Sequence, residues 1–374
     1  MTTPTDRRPT VGVRCDAGPA TGVGHLVRCV ALAEELVGRG LGVVFLGDLG
    51  GLPFAQRQLA DRGLPLLPAP VAPEDLADLA VALGLAAVVL DGYHLDPGIG
   101  TALTARGLPV LALSDGGFGA DQRATIHLDQ NLGAVRPAHL PPGTEVLSGL
   151  AHVLLRDLVR SRRPAAARVV TTDTANAQGP ASVLAVFGGT DPTAAVLTLA
   201  PLALGTGEPL HLRAIASTPA TVEVLQRLRP GPRQTLTVLP PADDLPALAV
   251  QADLVVSAAG SSVWELLCLG TPTALVCVSD NQEAGYREVV SRGLVEGLGH
   301  VAALRDHEPT RAAATARLRT LLRDPGARAR LAARGLAAVD GRGRERVADA
   351  LCRHLDIERK DRSCHAPASS SSRA

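Results

Sequence analysis

The sequence has no net charge and no long apolar run. Its 374 residues include 37 Lys and Arg and 37 Asp and Glu, for a formal net charge of +0. Because nucleic acid and anionic membranes attract proteins with a basic surface, this balance gives no electrostatic case for either partner. No apolar stretch reaches the ~20 residues of a membrane span, and residues 1–9 lack the apolar centre of a signal peptide. We therefore expect a cytoplasmic protein without an integral membrane segment.

Cysteine, lysine and aromatic residues are also scarce. The six cysteines form no CxxC pair and no metal-like spacing, and four of them lie in apolar runs that are typical of a buried core. Lys360 is the single lysine, so almost all positive charge is arginine. Free core cysteines fit a reducing compartment. We predict no metal site, no cofactor and no disulfide framework.

Short apolar runs alternate with segments of helical periodicity in both halves of the chain. This alternation is typical of an α/β protein whose parallel sheets carry helices on both faces. We predict an N-terminal domain at 1–160, a flexible linker at 161–180, a C-terminal domain at 181–357 and a disordered tail at 358–374. The pattern does not predict an oligomeric state.

Residues 252–282 contain the most informative unit of the chain. A buried strand leads into a turn that contains Gly260, Ser261 and Ser262, a helix follows, and a second strand ends before Asn281 and Gln282. In a βαβ unit, the backbone N–H groups of such a turn are a natural seat for a phosphate. Polar groups after neighbouring parallel strands converge where α/β proteins bind ligands. We therefore predict a ligand site at this edge.

Glu265 has two interpretations. Ser262-Val-Trp-Glu265 has the spacing of a capping box, in which Glu265 only caps its own helix. Alternatively, Glu265 holds a ligand at the same edge of the sheet as Asn281 and Gln282. Local pattern leaves both interpretations open.

A second glycine turn links the first strand to the first helix. It contains Gly22, Gly24 and His25, and it follows Arg14 and Asp16 at the end of the strand. The glycines allow close backbone approach to a ligand. The positive end of the helix dipole opposes protonation of an imidazole in the first turn, and a neutral imidazole is a competent general base. A polar residue that merely opens a helix is the alternative.

A third glycine turn has the sequence Gly188-Gly189-Thr190-Asp191-Pro192 and also joins a strand to a helix. Its spacing matches neither a dinucleotide fingerprint nor a P-loop. Pro192 at the first helical position and Thr190 or Asp191 as the cap predict a well-capped helix. The turn could also present its backbone N–H groups to a diphosphate.

Three further side chains are candidates for substrate contact. Asp91 ends a strand of the first half and Tyr93 follows it. Tyr93 and Tyr286 are the only tyrosines in a chain with 2% aromatic residues. We predict that both face the ligand cleft, although each taken singly is more often structural.

Taken together, these motifs resemble the PseG/SpsG family, which contains the UDP-sugar hydrolase of pseudaminic acid biosynthesis and spore-coat polysaccharide proteins. The resemblance rests on matching order over residues 11–355: Arg14-x-Asp16, Gly22-x-Gly-His-x-x-Arg28, Asp91-x-Tyr93, Gly188-Gly-Thr-Asp191 and the run 252–282. Two places depart from the family pattern. His152 stands where the family has Tyr in the motif that ends at Arg156, and Ser114-Asp115 replaces a pair of Asp.

The resemblance implies the GT-B fold of MurG-like enzymes, with two Rossmann-like domains around a central cleft. It implies that the C-terminal half binds UDP and that the N-terminal half places sugar and water. On the family pattern, His25 activates water, Glu265 holds the ribose hydroxyls, and Asn281 and Gln282 lie near the sugar.

From motifs and resemblance together, we expect an enzyme that hydrolyses a UDP-activated amino or deoxy sugar without a metal. A GT-B glycosyltransferase of polysaccharide or natural-product biosynthesis needs the same donor site and is the first alternative. A non-catalytic nucleotide-sugar binding protein is the second. The predicted site comprises catalytic His25 and Asp16; substrate-binding Arg14, Gly22, Gly24, Asp91, Tyr93, Asn281, Gln282 and Tyr286; and UDP-binding Gly188, Gly189, Thr190, Gly260, Ser261, Ser262 and Glu265.

Overall fold

The computed structural model describes residues 8–18, 21–115, 119–166, 179–189 and 191–355. Thr190, most of the predicted linker and the predicted tail lie outside these residues. The division of the chain into two domains with a flexible linker stays a prediction.

The described residues of the first half form a seven-stranded parallel sheet with the order β3-β2-β1-β4-β5-β6-β7. Apolar side chains fill most of the strand interiors, as expected for a sheet covered on both faces. The strands are β1 (Thr10–Cys15), β2 (Gly42–Leu46), β3 (Leu66–Leu67), β4 (Leu85–Asp91), β5 (Val110–Leu113), β6 (Ile126–Asp129) and β7 (Glu145–Ser148).

Helices connect these strands. The first begins at Gly24, and it buries Leu26, Cys29, Val30 and Leu36 at helical spacing. Proline occupies the first turn of the next two, where its missing N–H costs nothing. The helices are α1 (Gly24–Gly38), α2 (Pro53–Ala60), α3 (Pro73–Ala82), α4 (Gly98–Ala105) and the short α5 (Asp157–Arg160).

The second half repeats this plan. Its described residues form a six-stranded parallel sheet with the order β10-β9-β8-β11-β12-β13. The strands are β8 (Ala181–Val186), β9 (Leu210–Ile215), β10 (Gln234–Leu239), β11 (Leu254–Ala258), β12 (Thr273–Cys277) and β13 (Glu296–His300). The strand order reverses between β1 and β4 in one sheet and between β8 and β11 in the other. In open α/β sheets, ligands bind beyond the carboxyl ends of strands at such a reversal.

In the second half, one helix ends and another begins near Asp324 and again near Gly341. In the part of the chain that the structure covers, no helix has both the length and the apolar character that a membrane crossing requires. The helices are α6 (Val196–Leu204), α7 (Pro219–Gln226), α8 (Leu245–Val250), α9 (Ser262–Cys268), α10 (Glu283–Ser291), α11 (Val301–Asp306), α12 (Glu308–Arg323), α13 (Pro325–Ala338) and α14 (Gly343–Arg353).

Two segments bind the halves together. The segment that ends in α5 packs alternately: Leu154 belongs to a core under the first sheet, whereas Val153 and Leu155 belong to a core of the second half. Helix α14 follows the second half in sequence but packs on α1, with Leu351 in the first core. Buried Arg344 of α14 pairs with Glu34 of α1 at 2.8 Å. The C-terminal helix therefore completes the core of the N-terminal half.

This packing predicts that Leu351→Ala destabilises the protein although the residue lies far from the N-terminal half in sequence. Leu351 is 0% exposed, and Leu→Ala at buried sites costs about 2–5 kcal/mol. Urea unfolding measures the change. Leu83→Ala at a site that is 37% exposed is the matched control, and we expect a clearly smaller loss. Equal losses would contradict the placement of α14 in the core.

Candidate active site

The centre of the candidate site is a histidine–carboxylate pair. Strand β4 ends at Asp91, beside the end of β1 in the sheet, and α1 places His25 in its first turn. His25 Nδ1 lies 2.6 Å from Asp91 Oδ1. The side chain of His25 is 11% exposed and that of Asp91 is 0% exposed. A buried carboxylate therefore fixes the imidazole ring.

Arg28, one helical turn after His25, binds the same carboxylate. Its Nε donates to Asp91 Oδ2 at 2.7 Å and its Nη2 donates to Oδ1 at 2.6 Å. Burial alone would raise the pKa of Asp91, but the charges of Arg28 and His25 and their hydrogen bonds hold that pKa well below its ordinary value. Burial would lower the pKa of Arg28, whereas the Asp91 charge raises it above its ordinary value. Asp91 is therefore ionised and held by both Arg28 and His25, and its predicted contact with substrate stays a prediction.

These contacts also decide the tautomer of His25. Arg28 Nη2 lies 3.0 Å from Nδ1, but a guanidinium can only donate and a carboxylate can only accept. The shorter contact with Asp91 requires a proton on Nδ1, and Arg28 Nη2 then donates to Asp91. A neutral His25 consequently carries its lone pair on Nε2. Among the described residues, none hydrogen-bonds Nε2, which leaves it available to accept a proton.

Asp16 binds partners other than His25. Its carboxylate binds Arg14 Nη1 at 2.7 Å, the Asp48 N–H at 2.7 Å and His94 Nε2 at 2.6 Å. Burial would raise the pKa of Asp16, but the hydrogen bonds from Arg14 and Asp48, the Arg14 charge and His94 hold it below the ordinary value. Asp16 and Arg14 thus lie at the same sheet edge as His25 but do not orient it.

Tyr93 connects this cluster to the second half. Its ring meets the His25 ring edge-on with centroids 4.5 Å apart, and its hydroxyl donates to Asp115 Oδ2 at 2.6 Å. Burial and the Asp115 charge raise the pKa of Tyr93, whereas a side-chain hydrogen bond with Asn281 lowers it. Asn281 belongs to the second half, so Tyr93 links the His25–Asp91 pair to a residue of that half.

The glycine turns of the two halves approach each other. Gly22 has a φ of 72°, which favours glycine. A Cβ on Gly24 would lie 3.1 Å from Ser261 Oγ, and a Cβ on Gly189 would lie 3.5 Å from Val23. The turn that carries His25 therefore lies against both predicted phosphate turns. Gln282 joins them from the other side: its Nε2 would be 3.7 Å from a Cβ on Gly260, and its Oε1 accepts the Val278 N–H at 3.2 Å.

The prediction that Pro192 opens a helix is wrong. Asp191 has a left-handed φ of 40°, and α6 begins only at Val196. The Asp191 carboxylate accepts from the Ala195 and Val196 N–H groups at 2.8 and 3.1 Å. The N–H groups of Ala195 and Val196 are therefore occupied, whereas Gly188 and Gly189 remain candidates for contact with a phosphate. Thr190 lies outside the described residues.

Glu265 does not form the capping box that its spacing suggested. The N-cap of α9 is Ser261, with no side-chain cap hydrogen bond, and Ser262 is the first helical residue. Glu265 Oε1 instead accepts from Arg156 Nη2 at 3.1 Å. The purely capping interpretation is therefore excluded, and Glu265 is available at the edge where UDP binding was predicted.

Tyr286 is not brought to the cluster. Its hydroxyl accepts the Gly299 N–H of β13 at 2.7 Å, and its ring packs with the core of the second half. It braces α10 against β13, and its predicted contact at the cleft has no support from this geometry.

Sequence reasoning missed two members of the cluster as site residues. The i, i+3 spacing of His25 and Arg28 on one helix face is a signal that could have found the arginine. His94 has no comparable signal, because its partner Asp16 is distant in sequence and adjacent only through the sheet. Among the residues that the structure describes, no group of three or more His, Cys, Asp or Glu is arranged to hold a metal ion.

No family model and no curated protein matches the sequence. Solved structures do share its fold. MurG of Acinetobacter baumannii has a TM-score of 0.70 at 19% identity, over 92% of this chain and 100% of MurG. The S. aureus MnaA–UDP structure has a TM-score of 0.62 at 12% identity, over 93% of this chain and 97% of MnaA. The glycotransferase of kitacinnamycin has a TM-score of 0.60 at 18% identity, over 93% and 100% of the two chains.

The fold is GT-B. The expectation of an α/β protein with two parallel sheets and a GT-B-like fold is confirmed. At these identities the likeness concerns the fold alone. Within the GT-B fold, the resemblance to the PseG/SpsG family stays a prediction.

The ion pair at the centre predicts the effect of Asp91→Asn. The variant removes the closer of the two counter-charges of buried Arg28, the other being Asp115 at 3.7 Å, so we expect a loss of about 3–5 kcal/mol in unfolding free energy at pH 7. Because the folded-state pKa of Asp91 is depressed, its contribution is complete above the ordinary Asp pKa of about 3.9 and declines below it. The difference in unfolding free energy between the wild type and Asp91→Asn should therefore shrink by about 1.4 kcal/mol per pH unit below that value.

Urea unfolding between pH 3 and 7 measures this gap. Asp121→Asn, at an exposed loop position, is the control and should change stability by less than about 0.5 kcal/mol throughout. A gap for Asp91→Asn that does not vary with pH would contradict an ionised, depressed Asp91.

Proposed function

We propose that this protein is an enzyme that hydrolyses a UDP-activated amino or deoxy sugar at the anomeric C–O bond, without a metal. The GT-B fold supports a nucleotide-sugar substrate, and one of the structures with this fold is a UDP complex. The motif resemblance to the PseG/SpsG family supports hydrolysis and a place in polysaccharide biosynthesis in the cytoplasm.

One observation carries the proposal. His25 Nδ1 donates to a fully buried, ionised Asp91 at 2.6 Å, in the turn that meets the glycine turns of the other half. A base oriented by a carboxylate beside a ligand seat is the arrangement of general base catalysis. A protein that only binds nucleotide sugars has no need for it, so this geometry favours catalysis over the non-catalytic alternative.

The proposed reaction is a direct displacement by water at the anomeric carbon of the sugar. Water attacks the anomeric carbon and His25 Nε2 accepts its proton, while the C–O bond to the diphosphate breaks and UDP leaves with the bonding pair. The imidazolium that forms is stabilised by the adjacent Asp91 carboxylate. Attack from the face opposite the leaving group inverts the anomeric configuration. The products are UDP and the free sugar.

UDP binding is proposed for the second half. The turns at Gly188–Gly189 and at 260–262 would donate backbone N–H groups to the diphosphate. Glu265 would accept hydrogen bonds from the ribose hydroxyls. The sugar would then extend toward His25, Tyr93 and Asn281, which lie together at the join of the two halves.

A glycosyltransferase is the second candidate. The shared fold with the glycotransferase of kitacinnamycin favours it specifically. The donor site and the base would be the same, with an acceptor hydroxyl in place of water.

The role of His25 predicts that His25→Ala lowers turnover of a UDP-sugar by about 10²–10⁴-fold, because a positioned base contributes that factor. The affinity for UDP should hardly change, since the second half is proposed to bind it. Initial rates and titration calorimetry with UDP measure the two effects. The control His211→Ala, exposed on β9, should keep full activity. Near-normal turnover by His25→Ala would contradict the proposed role of His25 as the general base.

The bond that breaks can be identified by isotope labelling. Turnover in ¹⁸O-water with a chelator present should place the label on the sugar, none in UDP, and should yield the inverted anomer. Label in UDP, or activity abolished by the chelator, would indicate metal-dependent attack on phosphorus instead. If no UDP-sugar turns over until an acceptor is added, the glycosyltransferase replaces the hydrolase.

A further inference from the structure

Arg156 is a buried cation that the proposed chemistry does not use. It is 4% exposed and lies where the chain passes from the first half to the second. Leu154 before it packs in the first core and Leu155 packs in the core of the second half. Its backbone is therefore held by both halves.

The guanidinium of Arg156 bridges two side chains from opposite halves. Nη1 donates to Gln58 Oε1 of α2 at 3.1 Å, and Nη2 donates to Glu265 Oε1 of α9 at 3.1 Å. Gln58 is buried and the Glu265 side chain is 12% exposed. Because a guanidinium is planar and its donors have fixed directions, contact with Gln58 fixes the direction of the N–H group that Oε1 of Glu265 accepts.

Two details suggest that the contact does more than neutralise charge. Arg156 Nε is buried without a hydrogen-bond partner among the described residues, so the arginine is not placed to satisfy all its own donors. Within the same part of the chain, only Oε1 of Glu265 receives a hydrogen bond, and Oε2 has none.

We propose that Arg156 is a positioning residue that holds Oε1 of Glu265, so that Oε2 is directed at the vicinal hydroxyls of the nucleotide ribose. This inference rests on the proposed function, because it takes Glu265 as the ribose acceptor. Through Gln58, the same guanidinium ties the nucleotide seat to the half that carries His25. Arg156 itself touches no substrate.

The test compares UDP with 2′,3′-dideoxyuridine diphosphate, which lacks the two hydroxyls. Calorimetry gives the dissociation constants for the wild type, Arg156→Met, Glu265→Gln and the double variant. Hydrogen bonds to a charged acceptor correspond to about 10- to 100-fold in affinity, so the wild type should prefer UDP by that factor. Glu265→Gln should reduce most of this preference.

Arg156→Met should weaken UDP binding by about 3- to 30-fold, a range typical of coupled neighbours, and should leave binding of the dideoxy analogue almost unchanged. In the double variant, the loss of affinity for UDP should scarcely exceed the loss in Glu265→Gln alone. A merely structural arginine would weaken both ligands equally, so the preference for UDP separates positioning from structure.

Arg156→Lys is the second variant in case Arg156→Met does not fold. It keeps the charge but cannot bridge two acceptors in a fixed plane, so it too should narrow the preference for UDP. Arg160→Lys is the matched control, since Arg160 binds Glu345 and the Gly341 carbonyl away from Glu265. It should leave the preference intact.

The outcomes distinguish failure of the proposed nucleotide site from failure of the positioning role of Arg156. If the wild type shows no preference for UDP, or Glu265→Gln leaves it intact, the proposed nucleotide site fails. If Glu265→Gln removes the preference but both Arg156 variants keep it, the nucleotide site stands and the positioning role is overturned.

Discussion

The site depends on a single buried charge. A carboxylate at the interior end of β4 is costly unless cations and hydrogen bonds compensate it, and Arg28 and His25 supply both. The compensation has a chemical consequence, because the oxygen that accepts the Nδ1–H leaves Nε2 as the basic atom of His25. The positions of α1 and β4 are therefore tied to each other by electrostatics as well as by packing. A change in Asp91 alters the fold and the base together.

The second constraint is the close join between the halves. Gly24 approaches Ser261, and Tyr93 reaches Asn281, so parts of the site come from both sheets. The chain passes between the halves at Arg156 and returns through α14, which packs on α1. A binding seat on one half and a base on the other can act on one molecule only if these crossings hold the halves in register.

Under the proposed function, this arrangement would accept either water or an acceptor hydroxyl. The proposed nucleotide seat lies in the second half, whereas His25 lies in the first. A base in the first half would accept a proton from water or from an acceptor hydroxyl, whichever lies between the base and the sugar. Water and a larger acceptor therefore differ in the room that the first half provides, and the loops after β4 and β5, with Tyr93 and Asp115, shape that room.

The alternation of apolar runs and helical periodicity by itself determined the α/β class, both parallel sheets and most helices, because these patterns reflect local burial. The motif at Gly22–His25 predicted the turn that carries His25 for the same reason: a turn between strand and helix is a local feature. The partners of the site side chains, in contrast, were not determined by the local sequence. Asp16 is near His25 in sequence, yet Asp91 orients the ring, since β1 and β4 are neighbours in the sheet. Likewise Glu265 has capping-box spacing but binds Arg156, which only the crossing of the chain brings within reach. Tertiary structure alone decided these partners, because the cost of a buried charge is met by whichever side chain the fold places beside it.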